Sequence, residues 1–249
     1  MALAGYGEHG RGKGWNTKDV SNDFETKVLD HDRDVEFYVD AMDVDETNQI
    51  VSAANITRVF DEEHAIPEVD AYRYSKLYSE FVNEFGGTVD TTALTEANIL
   101  QIFDKQMEEM DDAGVPQEGR ILYLTPATRT LLKNAEQIQR SLSVTSNNGR
   151  VDRIVHSLDD VRIQPVPSAR MKTAYDFTDG FVPAAGAKQI NMMLIHPRAV
   201  IAPIKHSVIY LWAPGTHTSG DGWLYQNRKY WDLFLIENKI TGVAINRQA

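Results

Sequence analysis

An α+β fold is predicted by the order of patterns along the 249 residues: strand alternation near the start, helical spacing through the middle, then short strands and turns. In Arg33–Asp40, Val35, Phe37 and Val39 share one strand face, while Asp34, Glu36, Tyr38 and Asp40 share the other. Between Pro67 and Phe85, the side chains Tyr74, Leu77, Tyr78, Phe81 and Phe85 recur at helical spacing. Beyond Ser141 no helical period persists.

In chain order, five glycines from Gly5 to Gly14 open the sequence as a flexible start. Phe24–Leu29 and Arg33–Asp40 then read as two strands of a hairpin around the turn Asp30-His31-Asp32. Such a ribbon is marginal in isolation and must lie on its own subunit or a neighbour. A helix over Thr47–Glu63 uses Ile50, Ala54, Val59 and Phe60, and is expected to stop before Pro67. The helix from Pro67 keeps Asp70, Arg73, Lys76, Glu80 and Glu84 off its apolar stripe and ends at Gly86-Gly87. A further helix over Glu96–Ala113, with Thr95 as N-cap, buries Ile99, Phe103, Met107 and Met110.

The strand ILYLT leads into Thr125-Pro126, an N-cap followed by proline at the first helical position, and a helix bearing Leu131, Ala135 and Ile138. Strands follow at Arg153–His156, Val161–Val166, Asn191–Ile195 and Val208–Trp212. Tyr230–Ile245 reads as one long strand with a bend near Asn238 and Gly242. Trp212, Trp223 and Trp231 are expected in the core, whereas Trp15, in the glycine-rich start, suits a partner's pocket.

Composition narrows the function classes. With no cysteine, disulfides, thiolate metal sites and cysteine nucleophiles are excluded. No apolar run approaches the roughly 20 residues that span a bilayer, and no secretory h-region opens the chain, so synthesis in the cytosol is expected. The net charge of −11 is uneven: residues 1–125 hold 27 acidic and 10 basic side chains, residues 126–249 hold 9 and 15. That asymmetry suits head-to-tail docking of copies, as well as differing solvated faces. No Lys/Arg cluster marks a phosphate-binding surface.

Motifs for chemistry fail on context. Gly5-Tyr-Gly7-Glu-His-Gly10 fits G-x-G-x-x-G without the strand it needs before it, and the P-loop-like run ends in Gly14 where Ser or Thr would hold magnesium. Asp30, Asp32, Asp34 and Glu36 lack the glycine and glutamate of a calcium loop. The seven histidines form no H-E-x-x-H pair and no G-x-S-x-G elbow occurs. No catalytic residue, cofactor or metal is therefore assigned.

Taken as an ordered set, AMDVDETNQ followed by IPEVDAYRYSKLY, then LYLTPATRTLLKNA, SLDDVRIQPVPSARM and the ending NRKYWDLFLIENKITGVAIN resemble the major capsid proteins of tailed bacteriophages. The resemblance implies the Hong Kong 97-type fold: an extended hairpin, the E-loop, over residues 5–40 within segment 1–40, a peripheral domain with a long spine helix over 41–118, an axial domain over 119–223, and a closing strand over 224–249 returning to the peripheral domain. It implies a non-enzymatic homo-oligomer, in pentamers and hexamers, made in the bacterial cytoplasm and enclosing double-stranded DNA in a virion without reading its sequence. Scaffolding, portal or decoration proteins are implied partners, and a membrane is not. Subunit contacts are expected at Trp15, Phe24, Arg33, Glu36, Phe37, Asp40, Asp43, Asp45, Arg73 and Lys76.

Relatives carry an arm or scaffolding segment before the E-loop, and here little precedes Gly5, so a short or removed arm is expected. Some relatives also join subunits through lysine-asparagine bonds; Lys18 and Lys27 lie in the right region, but no asparagine partner is identifiable. Two alternatives stand beside this reading. One is an encapsulin-like compartment of the same fold that loads protein cargo. The other is a small-molecule hydrolase assembled from remote residues such as His196 and Asp232.

Overall fold

The computed structural model describes residues 8, 15, 17–18, 26–42, 53–135, 155 and 157–249. Contacts divide the chain into Met1–Asp30 and His31–Ala249. No described residue of the first unit lies in a helix or strand. All elements below belong to the second.

Strand β1 (His31–Val39) buries alternate residues, as the sequence predicts. Its ladder partner is not Phe24–Leu29. Residues 26–29 lie outside any strand, Phe24 lies outside the described residues, and β1 instead begins within the expected turn. It pairs antiparallel over nine positions with a distant strand, Trp223–Trp231. That pairing sets Phe37 opposite Tyr225 and Glu36 opposite Gln226, matching aromatic with aromatic and polar with polar.

Helix α1 (Ala53–Phe60) runs through a π-helical turn (Asp61–Ala65) into α2 (Ile66–Ser79), and a second π-turn (Glu80–Glu84) follows. Residues Phe60, Ala65, Ile66, Ser79 and Glu80 at the junctions all have right-handed helical dihedrals, so the rod is continuous and roughly 48 Å long at about 1.5 Å per residue. The expected stop before Pro67 does not occur. Pro67 falls just after the wider turn, where the Ile66 amide reaches back five residues to the Asp61 carbonyl, so the ladder has already shifted where proline's missing N–H would break it. The rod ends at Gly86, whose φ of +66° needs a residue without Cβ.

Helix α3 (Ile99–Asp112) buries Ile99, Phe103, Gln106 and Met110, with Met107 packed alongside. It starts three residues later than predicted: residues 96–98 form a turn, and Asn98 accepts from the Thr95 amide at 2.7 Å. Strand β2 (Ile121–Leu124) leads into α4 (Pro126–Asn134), where the Thr125 hydroxyl accepts from the Thr128 amide at 3.3 Å, the cap expected. Ile138 and Arg153–Ile154 lie outside the described residues.

The remaining strands are short except three. They are β3 (Ser157–Leu158), β4 (Val161–Pro165), β5 (Tyr175–Asp176), β6 (Val182–Pro183), β7 (Ile190–Ile195), β8 (Val200–Ile201), β9 (Ile204–Trp212), β10 (Trp223–Trp231), β11 (Phe234–Leu235) and β12 (Val243–Arg247). A five-stranded sheet has the order β12-β7-β2-β4-β3, with only β2–β4 parallel. Its two faces feed two cores. Met193, Ile195, Val243 and Ile245 meet Leu77 and Phe81 of the long rod, while Leu122, Leu124, Met192 and Leu194 meet α3 and α4. Burial on both faces explains the apolar run Met192–Ile195 of β7.

The strand expected over Tyr230–Ile245 is in fact three pieces, the end of β10, β11 and β12, broken at Asp232–Leu233 and by a 3-10 segment (Glu237–Gly242) that contains the anticipated bend. Its end, β12, pairs with β7 on one side, while Asp90 bridges to Asn246 on the other.

Candidate subunit-contact surface

A three-stranded sheet, β1-β10-β9, forms the surface of interest. Its inner face is held to the long rod by side chains the alternation of β1 points inward. Phe37 packs edge-on to Phe60 at 5.3 Å and stacks on Tyr225 at 5.9 Å. Arg33 Nε donates to Glu68 at 2.7 Å, and Lys229 lies 3.8 Å from Asp61. At the far end His31 stacks on Tyr72 at 3.7 Å with Trp231 edge-on at 4.7 Å. Burial there pushes the His31 imidazole down to about 4, with the Arg33 charge adding to the shift, so it is neutral at physiological pH. Among the described residues, His31 Nε2 and Trp231 Nε1 are buried without a hydrogen-bond partner.

On the outer face, cross-strand polar pairs replace packing. Arg228 Nε donates to Asp32 at 3.1 Å, holding that carboxyl below its usual range, and Gln226 bridges Glu36 at 2.6 Å and the Trp212 indole at 3.0 Å. Of the carboxylates spaced along this stretch, Asp32 and Glu36 thus serve the sheet.

Strand β9 differs from both neighbours. It is an edge strand, paired only with β10 among the described residues, and its nine residues are nearly all exposed. Ile209 and Leu211 lie opposite Asn227 and Tyr225, on the face that is buried in β1 and β10, yet they are 47% and 51% exposed. The rod covers β1 and β10 and leaves β9 uncovered. Tyr210 and Trp212 stand on the opposite face, also exposed, so Trp212 is not the core residue the sequence suggested. Long apolar edge strands of this kind are templates for another chain unless something covers them.

The residues nominated from sequence divide accordingly. Arg33, Glu36 and Phe37 gather on β1, but each is engaged within its own subunit. Lys76 lies 3.7 Å from Glu80, and Asp40 accepts from the Met42 amide at 2.8 Å. Arg73 lines a separate cavity of about 440 Å³ with Asp70, Tyr74 and Tyr123. Trp15 is 95% exposed. Phe24, Asp43 and Asp45 lie outside the described residues. Strand β9, predicted in part as Val208–Trp212, was not nominated as a contact surface, although its run VIYLW, apolar at consecutive positions, carried the signal.

His196 and Asp232 do not form a joint site. Asp232 is fully buried and accepts from the Tyr72 hydroxyl at 2.8 Å and the Leu233 amide at 2.7 Å. His196 accepts from the Arg198 amide at 3.2 Å and lines a cavity of about 220 Å³ that Asp232 does not reach. Among the described residues no group of three acidic, histidine or cysteine side chains is placed to hold a metal, and no helix is long and apolar enough to cross a membrane.

No protein-family model matches the chain, and no curated protein sequence does. Solved structures do. The mature capsid of bacteriophage PhiM1 is similar over 99% of this chain and 79% of its own, with a TM-score of 0.69 and 14% identity. The capsid of cyanophage P-SCSP1u matches over 99% and 81%, at TM-score 0.57 and 11% identity. The head structure of Helicobacter pylori bacteriophage KHP40 matches over 88% and 75%, at TM-score 0.58 and 11% identity. An α+β sheet-and-rod arrangement, matched over 88 to 99% of the chain by these heads and shells, gives this chain the fold of phage capsid proteins.

Proposed function

We propose that the chain is a major capsid protein of a tailed phage, a structural tile whose work is its contacts with copies of itself. The uncovered apolar edge of β9 is the observation that carries this reading, and the shared capsid fold supports it. In a closed shell each tile makes heterologous contacts that close into pentamers and hexamers, and many modest interfaces add up to a stable particle. A neighbouring copy laid along β9 would cover Ile209 and Leu211 and use the free backbone groups of the edge.

In Hong Kong 97-type terms, the long rod is the spine helix of a peripheral domain over residues 41–118, residues 119–223 supply the axial domain, and residues 224–249 the closing strand that returns to the peripheral domain. Because β1 is laddered to β10 of its own chain, the part of the opening region that reaches a neighbour lies before His31. The acidic surplus suits an inner wall around double-stranded DNA, since tight phosphate binding would resist packing. The particle would be made in the bacterial cytoplasm, with portal, scaffolding or decoration proteins as further partners.

Electron microscopy of the purified chain at rising concentration tests this. Closed particles of uniform size are expected; open aggregates without curvature would refute a shell tile.

A further inference from the structure

The cavity of about 220 Å³ beside His196 holds charge that the fold does not balance. It is bounded by the C-terminal end of α3 at Ala113–Pro116, by the 3-10 turn Pro197–Ala199 that follows β7, and by the 3-10 segment Glu237–Gly242. Arg198 and Lys239 line it, and among the described residues no acidic side chain does. Asp112 and Glu237, the carboxylates nearest in sequence, stand outside the lining, and neither cation forms an ion pair with a described residue. The end of α3 offsets part of the positive charge, but a helix C-terminus is equivalent to only about −0.5 of an elementary charge, so roughly +1.5 remains.

A buried donor lies beside these two cations. His196 is 5% exposed, and its Nδ1 accepts from the Arg198 amide at 3.2 Å, which places the ring proton on Nε2. That N–H has no partner among the described residues, although a donor so deeply placed ordinarily has one. Asn238 and Thr241 add an exposed amide and hydroxyl. We propose that this cavity binds a dianionic phosphate, either free phosphate or the head of a phosphate monoester, with Arg198 and Lys239 meeting its charge and His196 donating through Nε2. A phosphate monoester carries about −1.5 to −2 near neutral pH and so answers both cations, whereas a carboxylate or a backbone phosphodiester, with one charge, answers one. The volume falls below the roughly 300 Å³ at which sites for whole small molecules begin, so the anionic head enters and any organic remainder stays outside. Arg198 and Lys239 are far apart in the chain, which is why no basic run announced the cluster. The site needs no second copy, and stands or falls independently of the tile reading.

Calorimetric titration of the purified full-length chain with inorganic phosphate, near pH 7.5 and at constant ionic strength, tests this. Saturable binding at one site per chain is expected, with a millimolar or tighter Kd. Arg198→Gln with Lys239→Gln is expected to abolish saturation. His196→Asn, whose side-chain oxygen can still accept from the Arg198 amide, is expected to weaken binding about tenfold, as for one lost hydrogen bond to a charged group. Circular dichroism checks the fold of each variant, and should His196→Asn not fold, the Arg198 and Lys239 pair decides alone. Phenyl phosphate distinguishes the two sources: equal affinity assigns the site to monoester heads, and its exclusion assigns it to free phosphate, either result supporting the proposal. No saturation at tens of millimolar phosphate, or binding indifferent to the variants, overturns it. So does displacement of phosphate at equal concentration by acetate, or by a DNA oligonucleotide without terminal phosphates, since either would show that a single charge suffices.

Discussion

His31 shows how a single residue couples the sheet to its rod. Neutral and stacked on Tyr72, it has a folded pKa of about 4 against about 6.5 when unfolded, because burial first, and then Arg33 and Lys76, disfavour the cation while Asp232 opposes them. Below pH 6.5 the unfolded chain takes up a proton that the folded chain refuses, so stability falls as pH drops from about 6.5 to 4, by at most about 1.4 kcal/mol per pH unit. Urea midpoints of the unassembled subunit at pH 7.5 and 5 measure this. In His31→Phe, which keeps a ring in the stack, the difference between the two midpoints shrinks; an unchanged difference would remove His31 from the account. The alternation of β1 was legible in the sequence, but a histidine at an inward position gave no sign of its aromatic neighbours, all distant in the chain. Two buried charges were illegible for the same reason. Glu80, expected off the stripe, is 2% exposed because it accepts from the Leu235 amide at 2.6 Å. Arg120, 1% exposed, closes the end of α3 through Asp111 and the carbonyls of Val115 and Pro116 at 2.6 to 3.0 Å.

Among elements, β9 carries the greatest weight. Ile209→Asp with Leu211→Asp places two charges on side chains that are about half exposed, so the subunit is expected to keep its fold, with a midpoint shift of no more than about 1 kcal/mol. The same pair is expected to lower particle yield by tenfold or more, since burying an unpaired carboxylate in an interface is costly. Particle counts by light scattering, with circular dichroism as the fold control, separate the two effects; normal yield would show that β9 faces solvent in the shell. Local punctuation predicted the elements well where capping chemistry was explicit, as at Thr125-Pro126 and Gly86. It failed where the backbone departed from a regular ladder. The π-turn before Pro67 turned an expected stop into a continuous rod, and β1 chose β10 over a neighbour in sequence because the long-range register satisfied nine positions at once.

At the scale of the whole molecule, the sequence pattern reached the α+β class and the order of elements, because apolar periodicity reflects which faces are buried within one chain. Contacts between chains leave a weaker trace. An interface residue has the polarity of a surface until its partner arrives, so Arg33, Glu36 and Phe37, nominated on β1, also bind their own subunit, while β9, read as a strand, was not read as uncovered. The claim that joins all three scales is self-assembly, and sedimentation velocity of the purified wild-type chain, over a range of concentration and salt, tests it most directly. The account predicts a boundary of megadalton particles that grows with concentration; a single species at 28.1 kDa under every condition would contradict it.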